Sequence, residues 1–189
     1  MISKRSDSVV WRPGRRRRPG RRLVIALAVV VLVVGATTAR LIVWPAQGMP
    51  ARVNAIVMLN SPGDPLMVAL RLARQRRADF LVISQGGPGG HYACPQPVRG
   101  VKLICFHPSP VSTQGEAEFV GRLAARQHWR SIALVTITPQ AWRASLRLRR
   151  CFPGHVYVVT AAIPLESWPY QIAYEWGATA KALLLQRSC

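Results

Sequence analysis

The sequence predicts an α/β protein: a Rossmann-like parallel sheet of about five strands with helices on both faces, preceded by one transmembrane helix. Short apolar runs rich in β-branched residues alternate with stretches of helical period, which is typical of parallel sheets. The segment Ser109 to Cys151 is read without a break as turn, helix, buried strand, turn and helix. A long apolar run, Leu23 to Trp44, precedes the predicted domain.

The N-terminal segment has the composition of a membrane anchor. Residues 1–22 contain nine Lys or Arg and one acid, with several Pro and Gly, and we expect a disordered cytoplasmic tail. Leu23 to Trp44 is about long enough to cross a bilayer, which predicts a retained signal anchor in the cell membrane. A cleaved signal peptide is the alternative, because Thr-Thr-Ala at residues 37–39 resembles a cleavage site. Because basic residues that flank a membrane helix stay on the cytoplasmic side, the domain that follows the helix is predicted to be extracytoplasmic.

The formal net charge of +19 raises the question of nucleic-acid binding. From residue 45 onward the chain has 16 Lys or Arg and six acids, without a dense basic run or an aromatic-interleaved RNA motif. We therefore expect no nucleic-acid partner. The remaining surplus of positive charge suits a domain that faces anionic lipid or cell-wall polymer.

The chain divides into a linker, residues 45–52, and a domain, residues 53–189. A capping box of Thr113 and Glu116 predicts the start of the central helix. Pro139 is predicted in the first turn of the next helix, and the last helix covers residues 169–185. The five predicted strands are residues 55–59, 80–84, 101–106, 131–137 and 155–160.

All four cysteines follow the membrane segment, so export would permit disulfides. Cys94 with Cys105 is the expected pair, and Cys151 is an alternative partner for either of them. Cys189 is expected to be free. A zinc site that adds His91 and His107 to the first pair is the less favoured alternative, because its spacing matches no standard motif.

Loops after parallel strands converge at one rim of the sheet, where ligands bind. Two carboxylates there, Glu116 and Asp64, are candidate acid–base or metal-holding groups, with capping roles as their structural alternatives. Arg143 either clamps an anion or is a solvated helix arginine. Glycine amides and helix N-termini at this rim suit a phosphate or carboxylate. The other expected ligand-binding residues are Asn60, Gly63, Gly86, Gly87, Thr113, Thr138 and Gln140.

Several of these segments resemble the YdcF-like family over roughly residues 53–185. They are the Ser-Thr-x-Gly-Glu-Ala pattern at 112–117, the Leu-Val-Thr strand and the Arg-Ala pair at 143–144, together with AIVMLNSPGD and FLVISQGG. The resemblance implies a Rossmann-like envelope domain and matches Glu116 to the family's acidic residue. It also implies a His where Gln140 stands, and glutamine cannot transfer a proton. A nucleotide-like ligand is implied as well, although cytosolic cofactors are hard to supply outside the cell.

The expected function is to act on or bind an anionic, phosphate-bearing molecule of the cell envelope, a glycan or lipid precursor. The alternative is a non-catalytic scaffold that binds a partner protein or wall polymer. The sequence identifies no cofactor, no oligomeric state and no reaction. The aromatic residues of the last helix are expected in the core, with Trp176 the most buried, or else on a carbohydrate- or lipid-binding surface. They are Trp168, Tyr170, Tyr174 and Trp176.

Overall fold

The computed structural model describes residues 19–86 and 93–189. Helix α1, Pro19–Thr38, continues as a π-helix over Ala39–Val43. Within the described residues this is the one helix long and apolar enough to cross a membrane, over Gly20–Val43. Because it lies near the N-terminus, it is a candidate for either an anchor or a signal sequence.

The α/β prediction is confirmed by a five-stranded, all-parallel sheet with the strand order β3-β2-β1-β4-β5. The strands are β1 Val53–Met58, β2 Ala78–Ser84, β3 Lys102–Phe106, β4 Ser131–Ile137 and β5 His155–Ala161. The helices after α1 are α2 Pro65–Arg74, α3 Thr113–Arg126, α4 Ala141–Cys151 and α5 Trp168–Leu184. The chain adds strands outward from β1 on one side and then returns to β4 on the other, so the order reverses between β1 and β4.

The central strands are almost continuously apolar because both faces of the sheet are covered. On one face, Val120 of α3 and Leu148 of α4 pack against strand residues such as Leu134. On the other face, Ala69 and Ala73 of α2 pack against their own set of strand residues. Helices therefore lie on both faces, and their packing fixes which loops meet at the carboxyl ends of β1 and β4.

The start of α3 differs from the predicted capping box. Its N-cap is Ser112, whose hydroxyl accepts a hydrogen bond from the Gly115 amide at 3.2 Å. Glu116 is thus one position too late in the helix to complete a capping box. Glycine is required at position 115, because a Cβ there would collide with the backbone of Pro110. The close approach of these two backbones places the cap on Ser112 and leaves the Glu116 side chain available for another contact.

The first turn of α4 also differs from its prediction. Pro139 lies in the turn that precedes the helix, which begins at Ala141 after Gln140. The segment 45–52, expected as a linker, is bonded along β5: the Gly48 amide donates to the carbonyl of Val158 at 2.9 Å. The second of two compact units accordingly begins at Ala36 and includes this segment.

Two disulfides are present. Cys94–Cys105, the expected pair, joins the loop before β3 to that strand, with the two Cα atoms 5.9 Å apart. The expectation that Cys189 is free is wrong, because Cys189 is bonded to Cys151 at the end of α4. The second bridge fixes the segment after α5 to α4.

Candidate functional site

A cavity of about 430 Å³ lies at the carboxyl ends of the strands. It is lined by the loops after β1, β2, β3 and β4, by the first turn of α3, and by one side of α5. This is the reversal point of the strand order, where open α/β sheets bind their ligands. The connections after β1 and β4 lead away from each other at this point, and the strand order therefore leaves space for the cavity between them.

Glu116 is one of two buried carboxylates that line this cavity, the other being Glu175, and 2% of its surface is exposed. Its Oε1 accepts a hydrogen bond from the backbone amide of Asn60 at 2.8 Å. The contact links α3 to the loop after β1, 56 residues earlier in the chain. Glu116 therefore joins the two sides of the reversal point, and the capping role considered for its side chain is wrong.

Burial raises the pKa of Glu116 from 4.5 to about 7, because an apolar environment disfavours the charged carboxylate. The Ser84 hydroxyl, the Asn60 amide and the cation of Arg143 each lower this pKa, but together they do not offset the burial. Of these three contacts the Ser84 hydroxyl has the largest effect on the pKa and the cation of Arg143 the smallest. A carboxyl group with this pKa can both give and accept a proton near neutral pH.

The raised pKa of Glu116 predicts a specific pH dependence of stability. Between pH 4.5 and about 7 the folded protein keeps a proton that the unfolded chain has released. The free energy of unfolding therefore falls as pH rises through this range, by about 3 kcal/mol, and becomes independent of Glu116 above it. Urea denaturation of residues 36–189 at several pH values measures this loss.

Glu116→Gln is the matched control, since glutamine is neutral at every pH and still offers an oxygen to the Asn60 amide. The variant is expected to equal the wild type below about pH 4 and to exceed its stability at pH 8. A variant less stable than the wild type at pH 8 would contradict the assigned pKa. Such a result would show that Glu116 has only a structural role.

Arg143, at the start of α4, is held by a buried ion pair. Its Nε and Nη2 donate to the two carboxylate oxygens of Glu175 at 2.7 and 2.8 Å, and its Nη1 donates to the Thr113 hydroxyl at 3.1 Å. Three of the five N–H groups of the guanidinium are thus engaged. Burial alone would lower the pKa of Arg143, but the Glu175 carboxylate outweighs it and the pKa is raised. Arg143 fixes the positions of α3 and α5 and is not a solvated arginine.

Positive charge without a carboxylate partner among the described residues lies next to this pair. Arg147, one turn further along α4, is 3% exposed and donates to the backbone and side-chain oxygens of Gln186. Burial lowers the pKa of Arg147 and the cations of Arg150 and Arg143 lower it further, while the Glu118 carboxylate only partly opposes them. Lys181 of α5 lines the same cavity. In the part of the chain that the structure describes, neither Arg147 nor Lys181 forms an ion pair.

The structure brings together most of the residues predicted at the rim. Those lining the cavity are Asn60, Gly86, Thr113, Glu116, Gln140 and Arg143. Three others do not line it. Asp64 is exposed and caps α2 by accepting from the Met67 amide, Gly63 packs near Ile137, and Thr138 bonds to Thr160. Gly87 lies outside the described residues, as do residues 1–18 and His91 of the zinc alternative.

The wall formed by α5 was not predicted from the sequence. Its buried residues are Gln171, Glu175 and Ala182, and the exposed Lys181 borders the cavity. The expectation that Trp176 is the most buried aromatic residue of this helix is wrong, since it is 36% exposed. A signal was present in the spacing of polar residues, Gln171 and Glu175 on α5 and Arg143 and Arg147 on α4, each pair four residues apart and therefore on one helix face. The cavity residues missed by sequence reasoning are Arg147, Tyr170, Gln171, Tyr174, Glu175 and Lys181.

Fold and site together define a Rossmann-like α/β domain with a basic cavity that contains a buried acid. No family model matches the chain, and no curated protein matches it. Among solved structures the chain is similar to the pantothenate synthetase of Thermus thermophilus, with 15% sequence identity and a TM-score of 0.32. The alignment covers 74% of this chain and 72% of that one.

Proposed function

We propose that this chain is a single-pass membrane protein of the YdcF-like type whose extracytoplasmic domain binds and acts on a phosphate-bearing molecule of the cell envelope. The observation that carries the proposal is the combination, in one cavity, of cations that form no ion pair with a described carboxylate and a buried acid with a pKa near neutrality. Each of these features alone is common. Together they supply what a phosphoryl or carboxylate substrate requires, charge neutralisation and proton transfer.

The binding part of the proposal rests on Arg147 and Lys181. Both border the cavity and, among the described residues, neither forms an ion pair with a carboxylate, although the charge of Glu118 acts on Arg147. The first turn of α3 faces the same space, where the amides of Thr113 and Gln114 precede the first intrahelical bonds. Side-chain cations and helix amides acting on one volume favour an anion of more than one charge.

The chemical part of the proposal rests on Glu116. Its proton exchanges near pH 7, so it can protonate a leaving oxygen or activate a water molecule. Gln140, 4% exposed, donates to the Thr113 hydroxyl at 3.4 Å and positions the first turn of α3, without a proton to transfer. Arg143 holds α5 against the cavity, and its charge lowers the pKa of Glu116.

Topology and substrate class complete the proposal. The nine Lys or Arg of residues 1–22 favour a cytoplasmic N-terminus, with Gly20–Val43 retained as an anchor. Two disulfides are typical of an oxidising compartment outside the cytoplasm. Phosphorylated glycans and lipid-linked precursors are the anionic molecules available to such a domain.

Binding without chemistry is the second candidate function. Gln140 favours it, because this residue stands where the resemblance implies a proton-transferring His. In that case the domain is a scaffold that holds a phosphate-bearing polymer or a partner protein. The two functions differ in Glu116 alone: a scaffold needs the charge of Arg147 and Lys181, whereas an enzyme also needs the acid.

Thermal unfolding of residues 36–189 against phospho-sugars, polyprenyl phosphates and nucleotides tests the binding. A ligand at 100 times its Kd adds about 2.7 kcal/mol, which raises the midpoint by about 5–10 °C in a domain of this size. Arg147→Gln is expected to abolish the shift. Arg122→Gln, at an exposed position of α3, should retain it and serves as the matched control.

A panel of phosphorylated compounds that leaves the midpoint unchanged would contradict the proposal. So would a shift that survives Arg147→Gln, because the ligand would then lie elsewhere. Turnover of the bound compound, lost in Glu116→Gln while the thermal shift persists, identifies an enzyme. A bound compound that is never converted by the wild type identifies the scaffold.

A further inference from the structure

The outward side of α5 has the polarity of a helix in a lipid interface and not that of a helix on a soluble domain. Its residues facing solvent recur at intervals of four and three positions and are small or apolar: Ala173, Gly177, Ala180 and Leu184. Trp176 and Leu183 flank them and are also exposed. The buried side holds two polar residues, Gln171 and Glu175, beside Ala182. Helices on soluble domains show the reverse arrangement, with the apolar stripe inward.

No acid and no base interrupts this outward stripe, and Leu184 exposes 74% of its surface. Gly177 has open space where a Cβ would be. Basic side chains, Lys181 and Arg187, lie exposed at the border of the stripe and beyond the end of the helix. A helix with an uncharged apolar face, an interfacial tryptophan and flanking bases is suited to the boundary between headgroups and acyl chains.

The contacts of α5 within its own compact unit indicate what covers its outward face. That unit begins at Ala36 and therefore includes the last residues of the candidate span Gly20–Val43. The Trp176 indole donates to the Thr38 hydroxyl at 3.0 Å. Ile42 is 6% exposed and shares a cleft with Trp176 of α5 and Trp142 of α4. Trp176, at the flank of the stripe, thus lies beside residues that leave the bilayer if Gly20–Val43 crosses it.

We infer that the outward face of α5 docks on the surface of the membrane in which Gly20–Val43 is anchored. The stripe of Ala173, Gly177, Ala180 and Leu184 lies among the headgroups and the first acyl carbons, with Trp176 at the boundary. Arg187, beyond the end of the helix, faces anionic headgroups. This docking rests on the proposed retention of Gly20–Val43 as an anchor and does not depend on whether the cavity performs chemistry. It places the α5 wall of the cavity, with Tyr170 and Tyr174, at the level of lipid headgroups.

Photolabelling of the full chain in vesicles tests the docking. The chain is reconstituted in phosphatidylethanolamine and phosphatidylglycerol that contain a lipid with a diazirine on the proximal acyl carbons, and adducts are mapped by mass spectrometry. We expect adducts on α5 around Trp176 and Leu184 in addition to those on Gly20–Val43. Met67, an exposed apolar residue of α2, should remain unlabelled.

Ala180→Glu with Leu184→Glu is the informative variant, since both positions are exposed and the change leaves the core untouched. Charge on the stripe should reduce the yield of α5 adducts at least about tenfold, while adducts on the span stay constant. Met67→Glu is the matched control and should leave the α5 adducts unchanged.

Adducts confined to Gly20–Val43 would overturn the inference. Crosslinks between α5 helices of two chains, without lipid adducts on α5, would also overturn it and identify a second copy as the occupant. Labelling of α5 that survives the double substitution would show that the contact with lipid is nonspecific and would equally contradict docking through this stripe. The thermal-shift experiment on residues 36–189 needs no membrane. It therefore tests ligand binding in the cavity separately from the docking of α5 on a membrane.

Discussion

Replacing Glu175 with glutamine is expected to lower the free energy of unfolding by about 3–5 kcal/mol, because it leaves the Arg143 cation buried without its carboxylate. The two side chains are 9% and 2% exposed, so water cannot take over the lost interaction. The Thr113 hydroxyl at 3.1 Å is a neutral acceptor and does not replace a charge. Urea denaturation of residues 36–189 at pH 7 measures the loss.

Two controls make this expectation specific. Asp79→Asn breaks the exposed pair of Arg52 and Asp79, whose side chains are 63% and 56% exposed, and should change stability by less than about 1 kcal/mol. Combining Arg143→Met with Glu175→Leu removes both buried charges and should recover most of the loss. If Glu175→Gln were no more harmful than Asp79→Asn, the cavity wall would depend on other contacts than this pair.

Loss of the Cys151–Cys189 disulfide is the second large expected effect. The bridge closes a segment with a sequence separation of 38 residues that contains β5 and α5. In the chain-entropy description such a bridge stabilises the folded state by about 4 kcal/mol, since it restricts the unfolded chain. Cys151→Ser with Cys189→Ser is expected to lose this amount and to increase hydrogen exchange at the carboxyl end of α5.

Cys94→Ser with Cys105→Ser is the matched comparison, because that bridge has a separation of 11 residues and is expected to contribute about 3 kcal/mol. Hydrogen exchange in α5 should not respond to it. Unchanged exchange in α5 after loss of Cys151–Cys189 would show that the bridge does not hold this helix. Both measurements use urea denaturation and hydrogen exchange under oxidising conditions.

The sheet could be predicted from the sequence because its central strands are buried on both faces and therefore appear as apolar runs. The prediction of β4 at residues 131–137 is confirmed residue for residue, and the other strands differ by a few residues at their ends. The order β3-β2-β1-β4-β5 then brings the carboxyl ends together. The predicted rim residues Asn60, Thr113 and Glu116 consequently meet in one cavity.

The helix starts were less predictable because neighbouring residues compete for the cap. Ser112 and Thr113 are both good N-cap residues, and sequence spacing favoured Thr113 because Glu116 follows three positions later. The choice of Ser112 depends on the approach of Gly115 to Pro110, a contact between backbones that local propensity does not contain. A shift of one residue changed the interpretation of Glu116 from a cap to a buried acid.

The wall formed by α5 could not be predicted because the partner of each buried polar residue lies far away in the sequence. Glu175 is 32 residues from Arg143, and Gln186 is 39 residues from Arg147. A single helix containing Trp176, Leu183 and Leu184 favours an apolar inward face by composition alone. The burial of polar residues on α5 is explained by the arginines of α4, which pack against that side of the helix.

The separate attachment of α5 has a consequence for how proteins with this architecture diversify. The acid, its raised pKa and the reversal point belong to β1, α3 and β4, whereas Tyr170, Tyr174 and Lys181 reach the cavity from α5. The ion pair with Arg143 and the disulfide to Cys189 hold that helix without engaging Tyr170 or Lys181, whereas the Tyr174 ring lies against the Arg143 guanidinium, with its centroid 5.9 Å from the guanidinium carbon. Mutation can therefore change the side chains that α5 contributes to the cavity while Glu116 and the sheet stay the same. New ligand preferences can evolve in this way without a change in the fold.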